Sequence, residues 1–592
     1  MITAQQISNL YQVVSVGKTH ENYKRVVEKA ELYRQLSTGE GMDKLLKKFA
    51  LRESDQLFKQ RVEITQHITS STISNIMTTF EKGFRANFQK VVAYSDDKQL
   101  EELTKITNKF WGENNVENYY TQRLIELNTI DPNTYIIIEF KPFDNQIERA
   151  APYPFEANSK EVVDFAYENH VLQYLIVKQK NKVKSVTAFD YTLYLPNETI
   201  QICEIEQPKG TNTPEWSEST ISFEFLETLR TGKRFFEIKK PTPHNIGFVP
   251  AYRSGYIRDL ANNGTTALAP YDCIIDFLKK SIKVNSELDL TMALLAHPLK
   301  LRYGSNCKTC EGIRTIFNES TNENETCYTC KGTGFEQTST VAEEVVISIP
   351  NRAEDLIDLD KLVTFKSPPI EIMAFQDKYI QDLTSRAKSI MFNADLFTKS
   401  EVAQTATGAN IDLQNVYDTL YKFVVHYANI WQFTVKTIAK ITDLQNGLVC
   451  EMKFSKDFKL KTLNDLMLEL SAANTAGASP FLRRNIEKDI ARILYSEDED
   501  EYKKYEIKER FNPFSGQSMS NIMFFLTSNL VSNRDKVLYA NLGLIFDNLE
   551  SRFLSESQDF YDFTFVKIKE EVEKELTVFI SNLIIVTPNL LK

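Results

Sequence analysis

Histidine is scarce in this chain: its 592 residues include only six, and no two of them lie close together in the sequence. Histidine is the commonest general acid or base and the commonest metal-ligating side chain in proteins. A hydrolase or metalloenzyme built on histidine is therefore disfavoured, although distant residues can meet in a fold. We expect the protein not to be an enzyme.

An excess of positive charge is also missing. Seventy Lys and Arg residues stand against 80 Asp and Glu residues, which gives a formal net charge of −10 and a pI near 5.5. A protein that clamps nucleic acid carries a basic surface. Any contact with DNA must therefore be local or transient.

Long apolar runs are absent as well. The longest, from Leu576 to Val586, is shorter than the roughly 20 residues that a bilayer requires, and the N-terminal sequence MITAQQISNLYQVV lacks the features of a signal peptide. We expect a soluble protein without a membrane partner, made in a cytoplasm where its seven cysteines stay reduced. The remaining composition is that of a globular chain of about three or four domains.

The pattern of apolar residues predicts an α+β fold that is mainly helical. Residues from Gln5 to about Phe88 have helical spacing, whereas from Tyr135 onward short runs rich in Ile, Val, Tyr and Phe predict mainly antiparallel strands. Two long helices follow, one from Pro270 to Pro298 and one from Pro369 to about 393, and a third runs from about Ile411 to Ile441. Helices continue from Thr462 to the end, and no internal repeat is apparent.

Four cysteines between the first two long helices form the strongest motif. Cys307 and Cys310 are followed, after sixteen residues, by Cys327 and Cys330. Two C-x2-C knuckles complete a tetrahedral thiolate site. Zinc fits this donor set best, one ion per chain in a structural role, and iron in a rubredoxin-like site stays an alternative. The intervening loop is polar and offers almost no core, so we expect the metal to staple the insert.

The other cysteines and His426 have simpler interpretations. Cys203, Cys273 and Cys450 have apolar neighbours in the sequence and are predicted to be small core residues. His426, within the third long helix, is predicted to pack in the core.

The order of the elements suggests a stalk with a head. Two helices that bracket a compact insert must run antiparallel if the insert is to project at one end. The polar segment after the second helix, DLFTKSEVAQTATGAN, would then lie at the far end of the stalk.

In this order the sequence resembles the portal proteins of tailed bacteriophages. The resemblance spans most of residues 50–515. It rests on the helix, insert and helix order and on four sequence segments: RESDQLFKQRVEIT, PHNIGFVPAYR, TATGANIDLQNVYDTLYKFVVHYANIW and FKLKTLNDLMLELSAANTAGASPFLRRNIEKDIARILYSEDEDEY.

The resemblance implies a division of the chain into the parts of a portal subunit. These are an N-terminal helical part of the wing (1–130), an α/β wing (131–265), a first stem helix (266–298), a clip with the zinc knuckles (299–367), a second stem helix (368–394), a tunnel loop (395–410), a long wing helix (411–445), a returning segment near the crown (446–515) and a helical crown (516–592). The commonest portal clip lacks a metal, so the four-cysteine site is a departure from the family pattern.

The resemblance also implies partners and a location. Portal subunits form a ring, typically a dodecamer, at one vertex of the capsid, within the major capsid protein. Double-stranded DNA passes through the channel without sequence specificity; a terminase packs it, and a head-tail adaptor binds afterwards. The protein would occur in the host cytoplasm and then in the virion. The tunnel-loop residues expected to face DNA are Lys399, Glu401, Gln404, Thr405, Thr407 and Gly408.

Two other classes of function stay open. The second knuckle, CYTCKGTGF, resembles the C-x-x-C-x-G-x-G repeats of the DnaJ zinc domain, which would suit a chaperone or scaffold. A zinc ribbon could also belong to a nucleic-acid enzyme. Both are weakened because the chain has no J-domain His-Pro-Asp element, since Leu299 follows His297 and Pro298, and no recognisable acidic metal cluster or nucleotide motif.

Overall fold

A computed structural model describes most of the chain. The described residues are 3–48, 53–85, 88–94, 96–140, 152–180, 188–208, 213–217, 228–296, 300–318, 323–336, 344–348, 370–394, 406–454, 463–495, 498–528 and 530–586. The fold of these residues is α+β and mainly helical, as predicted.

The N-terminal region consists of seven helices and one strand. Its helices bury apolar stripes, such as Ile73, Ile76 and Phe80, in the largest core of the described chain. The helices are α1 (Ala4–Tyr11), α2 (Tyr23–Thr38), α3 (Met42–Leu45), α4 (Asp55–Ile64), α5 (Thr69–Glu81), α6 (Asp97–Thr107) and α7 (Val116–Ile130), and strand β1 (Phe88–Ala93) lies between α5 and α6.

The β region that follows contains two main sheets. The larger sheet has the order β4-β5-β6-β7-β9-β8, with β10 beside β7, and the smaller has the order β11-β2-β3; every pairing in them is antiparallel. The strands are β2 (Tyr135–Phe140), β3 (Pro152–Ala157), β4 (Val162–Glu168), β5 (Val171–Lys180), β6 (Phe189–Tyr194), β7 (Glu198–Ile205), β8 (Thr228–Thr231), β9 (Arg234–Ile238), β10 (Thr242–Pro243), β11 (Ala251–Arg253), β12 (Ile257–Arg258) and β13 (Ala267–Leu268). The predicted antiparallel strands are confirmed.

Two long helices bracket the cysteine-rich insert. Helix α8 (Ile275–Ala296) precedes strands β14 (Lys300–Gly304), β15 (Thr315–Asn318), β16 (Glu323–Thr326) and β17 (Glu344–Ser348), and α9 (Ile370–Phe392) follows them. Ala387, Met391 and Phe392, at the end of α9, share one core with Ile275 and Leu278, at the start of α8. The two helices therefore run antiparallel, and β14 begins at the opposite end of the pair.

The third long helix, α10 (Ala406–Ile441), begins earlier than predicted. Thr407 and Gly408 were expected in a loop, but the structure places both in the first turn of α10. A helix tolerates one glycine at a cost of about 1 kcal/mol, so Gly408 does not break it. The other predicted tunnel-loop residues, Lys399, Glu401, Gln404 and Thr405, lie outside the described residues.

Strand β18 (Val449–Phe454) follows α10 and pairs antiparallel with β1, with Phe88 opposite Phe454. The segment up to 130 is therefore not purely helical, and it is joined directly to the segment after 446. The α+β core is thus built from parts that are distant in sequence.

The C-terminal part is helical, as predicted. Ser479 caps its second helix by accepting a hydrogen bond from the Leu482 N–H, and Pro480 occupies the first turn, where its missing N–H costs no helical hydrogen bond. The helices are α11 (Leu463–Thr475), α12 (Pro480–Leu494), α13 (Glu499–Phe511), α14 (Met519–Thr527), α15 (Asn533–Ser555) and α16 (Phe565–Val586).

Candidate metal centre

The four predicted cysteines meet in one buried cluster. Their sulfur atoms all lie within 4.8 Å of one another, and all four side chains are buried. Cys307 Sγ lies 4.0 Å from Cys327 Sγ, and Cys310 Sγ lies 3.6 Å from Cys330 Sγ. Zinc–sulfur bonds of about 2.3 Å in a tetrahedron place the sulfurs about 3.8 Å apart. The donor set and its spacing therefore fit one tetrahedral metal ion.

The two knuckles are structural repeats of one another, which the sequence analysis missed. The Cys307 N–H donates to the Gly334 carbonyl (2.9 Å), and the Cys327 N–H donates to the Arg314 carbonyl (3.0 Å). The two acceptors occupy equivalent positions, because Arg314 lies seven residues after Cys307 and Gly334 lies seven residues after Cys327. The signal in the sequence was the shared pattern C-x-T-C-x-G, which starts at Cys307 and again at Cys327.

Backbone conformation explains why this pattern recurs. Gly312 and Gly332, two residues after each second cysteine, have φ values of 92° and 82°, a region that side chains other than glycine rarely adopt. Close approach adds to the constraint, because a Cβ on Gly332 would lie 3.0 Å from Thr326 Cγ2. Glycine at these positions lets each knuckle close around the sulfur cluster.

Backbone N–H groups point at the sulfurs of Cys307 and Cys330 and favour their thiolate forms, whereas loss of solvent raises the pKa of Cys310 to about 11. Hydrogen bonds from the N–H groups of Cys310 and Thr309 lower the pKa of Cys307. Loss of solvent opposes ionisation of Cys330, but the Gly334 N–H, which lies 3.3 Å from its Sγ, and the neighbouring thiols lower the pKa of Cys330 to about 6. Thiolates are the form that binds metal.

The described residues of the head, 305–318 and 323–336, have almost no apolar core besides the cysteines. The only apolar residue packed against the four cysteines, within the described residues, is Ile316 of β15. Strands β15 and β16 form a short hairpin, and every residue of β16 is exposed. A segment with so little buried apolar surface would draw much of its folding free energy from a bound metal.

The surface of the head has apolar side chains and mixed charge. Ile313, Phe317 and Tyr328 are exposed, and Lys308 pairs with Glu336 at 3.2 Å. Four sulfur donors leave no position for a reactive water, so this site can organise the head but offers no open coordination position for catalysis.

A buried ion pair connects the N-terminal region to α8, and the sequence analysis did not predict it. Arg61 of α4 donates to Glu53 through Nε (2.7 Å) and Nη2 (2.9 Å), and its Nη1 donates to Ser286 Oγ of α8 (2.8 Å). Both residues belong to RESDQLFKQRVEIT, one of the segments that carry the resemblance. Glu53 lies before the start of α4, so the pair has none of the three- or four-residue spacings that indicate ion pairs along a helix.

The remaining sequence predictions have mixed outcomes. Cys450 is buried and Cys203 is half-buried, but Cys273 is exposed, so its placement in the core was wrong. It lies in the single turn Asp272–Ile274 before α8, in which Ile274 alone is buried. His426 packs between Tyr252 and Tyr256 and bonds to the Ser254 carbonyl at 2.7 Å, as expected of a packed residue.

No helix among the described residues combines the length and apolar character needed to cross a bilayer. The chain matches no protein-family model and no curated protein.

Proposed function

We propose that this chain is a portal protein: its subunits form a ring at one capsid vertex, through which viral DNA is packaged and later ejected. The observation that carries the proposal is the antiparallel pair α8 and α9 with a four-cysteine head inserted between them, followed by the long helix α10. Helices α8 and α9 would form the stem, and the head would form the clip.

The proposed metal is zinc, one ion per chain. Four thiolates in a tetrahedral arrangement without an open position suit structural zinc. In the proposed ring the metal would hold each clip rigid, at the end that binds the terminase during packaging and the head-tail adaptor afterwards. A clip held by a metal would keep the same conformation when the terminase leaves and the head-tail adaptor binds.

The charge of the chain supports a conduit. A channel must pass DNA of any sequence without retaining it, and phosphate affinity rises with the number of Lys and Arg contacts. A net charge of −10 per subunit is consistent with a channel that makes few such contacts. Lys399, in the proposed tunnel loop, would be a cation that touches phosphates briefly.

A zinc-containing chaperone or scaffold is the second candidate. It is favoured by the exposed Ile313, Phe317 and Tyr328 on a head whose knuckles share the C-x-T-C-x-G pattern. A chaperone would suppress the aggregation of an unfolded client protein at stoichiometric ratios, whereas a portal protein would not.

Immunogold labelling of virus particles tests the proposed location. Antibodies raised against this chain should label a single vertex of each opened particle. Labelling over the whole shell, or a complete lack of labelling on particles that contain DNA, would contradict the portal proposal.

A further inference from the structure

An apolar surface near the C-terminal end of the chain has no cover among the described residues. Helix α14 reads MSNIMFFLT, with six apolar residues of nine, and Ile522 alone is buried. Phe525 of α14 stacks on Phe514, with the two ring centroids 5.7 Å apart. Met519, Met523 and Phe524 are left exposed.

The start of α12 extends this surface. A Cβ on Gly516 would lie 2.1 Å from the Pro480 carbonyl oxygen, so the turn before α14 lies directly against the first turn of α12. Phe481 and Leu482 of that turn are exposed, as is Leu530 after α14. We call these six residues the α12–α14 patch; its members are Phe481, Leu482, Met519, Met523, Phe524 and Leu530.

The exposed area of the six residues, added together, is close to one side of a subunit interface. Each of the six residues has between 49% and 74% of its surface exposed. With about 200 Å² for a large, fully exposed apolar residue, the patch presents roughly 750 Å². The largest apolar patch of a monomeric protein is usually about 300–600 Å², whereas a stable interface buries about 800 Å² per partner.

The stretch of sequence that contains α14 has no charged residue. From Phe511 to Asn533 the chain has 23 consecutive residues without Asp, Glu, Lys or Arg, although 25% of all its residues are charged. Cores of permanent interfaces are depleted of charge and enriched in aromatic residues and Met. Nucleic acid and membrane surfaces are bound through Lys and Arg, so the α14 part of the patch fits another protein. In α12 the two residues after Leu482 are arginines, of which Arg483 is buried.

We infer that the α12–α14 patch packs against a second copy of this chain. The inference rests on the proposed ring, in which every copy meets two neighbours permanently and an uncovered apolar surface of this size would be shielded. In a ring the contact is heterologous, so the patch of one copy covers a different surface of the next.

The test compares the mass of the full-length protein with that of two variants, Met523→Asp with Phe524→Asp, and Phe481→Asp. Light scattering after size exclusion measures the mass. Leu554→Asp is the matched control, because Leu554 is an equally exposed apolar residue near the end of α15, outside the patch. Circular dichroism and zinc content show that the variants are folded.

The inference predicts that the wild-type protein and Leu554→Asp assemble, and that both patch variants stay folded but need at least about tenfold more protein to assemble. Patch variants that assemble like the wild type overturn the inference and leave the ring intact. A wild-type dimer that the patch variants dissociate supports the inference and contradicts the ring. A wild-type protein that is monomeric at every concentration overturns both.

Discussion

Arg61 holds a full charge with no exposed side-chain surface, and its partner Glu53 is nearly as enclosed. The guanidinium also donates to Ser286 Oγ and to the Lys47 carbonyl, so most of its donors are used. Removing one member of a buried pair leaves the other charged and unpaired, which costs far more than the pair itself contributes. Arg61 therefore fixes α4 against the middle of α8.

We predict that Arg61→Met lowers the free energy of unfolding by about 3–5 kcal/mol, because Glu53 is left buried without a counter-charge. Urea denaturation measures the change. The matched control is Arg34→Met, which breaks a pair with Glu31 that is partly exposed and should cost at most about 1 kcal/mol. Equal effects of the two substitutions would show that the Arg61 pair is not a special contact.

His426 gives the stability of the protein a pH dependence. Loss of solvent lowers the pKa of His426 to about 4, whereas in the unfolded chain the pKa is about 6.5. Between these values the unfolded state binds a proton that the folded state does not. The contribution of His426 to the free energy of unfolding is therefore complete above pH 6.5 and is lost as the pH falls toward 4.

We predict that the wild-type protein exceeds His426→Gln in stability by a margin that shrinks, by up to about 3 kcal/mol, from pH 7 to pH 4. Urea denaturation at a series of pH values measures both proteins. Burial also lowers the pKa of His20 to about 4, so the variant should retain part of the acid sensitivity. A margin that does not change with pH would mean that His426 titrates normally in the folded protein.

At the scale of elements, the metal site and the rest of the chain have separate cores. The cluster of four cysteines contacts Ile316 and lies apart from the helical core that contains Leu278 and Met391. Loss of a metal bound there should therefore unfold the head and leave the helical core and the β region folded.

We predict that a strong chelator, or the variant Cys330→Ser, releases about one zinc ion per chain and opens residues 305–336 to protease, while the helical circular dichroism falls only slightly. The control is Cys273→Ser, which replaces an exposed cysteine outside the cluster and should keep its zinc and its protease resistance. Loss of the whole helical signal on chelation would contradict the separate cores.

Elements whose sequence signal lies within one segment could be predicted, whereas pairings between distant segments could not. Helices α8 and α9 were predicted with ends close to those observed because their apolar stripes and flanking prolines lie within one segment. The pairing of β1 with β18 was not predicted, since the two strands lie far apart in the sequence. Of the candidate site, the four cysteines were found by spacing, whereas the repeat of the knuckles depends on backbone hydrogen bonds between them.

At the scale of the whole molecule, the antiparallel helices α8 and α9, the four-cysteine head and the apolar α12–α14 patch would have a common explanation in the proposed ring. A ring needs a permanent apolar contact between copies, a rigid end for its partners and a channel that does not retain DNA. The net charge of −10 per chain, which argues against a DNA clamp, is consistent with such a channel.

Electron microscopy of the purified full-length protein in negative stain tests the ring most directly. We predict closed rings with a central hole wide enough for a DNA duplex, and side views with a narrow stem that ends in the metal-stapled head. Particles that are solid and no larger than one or two chains, at concentrations where the protein is folded and holds its metal, would contradict the portal proposal.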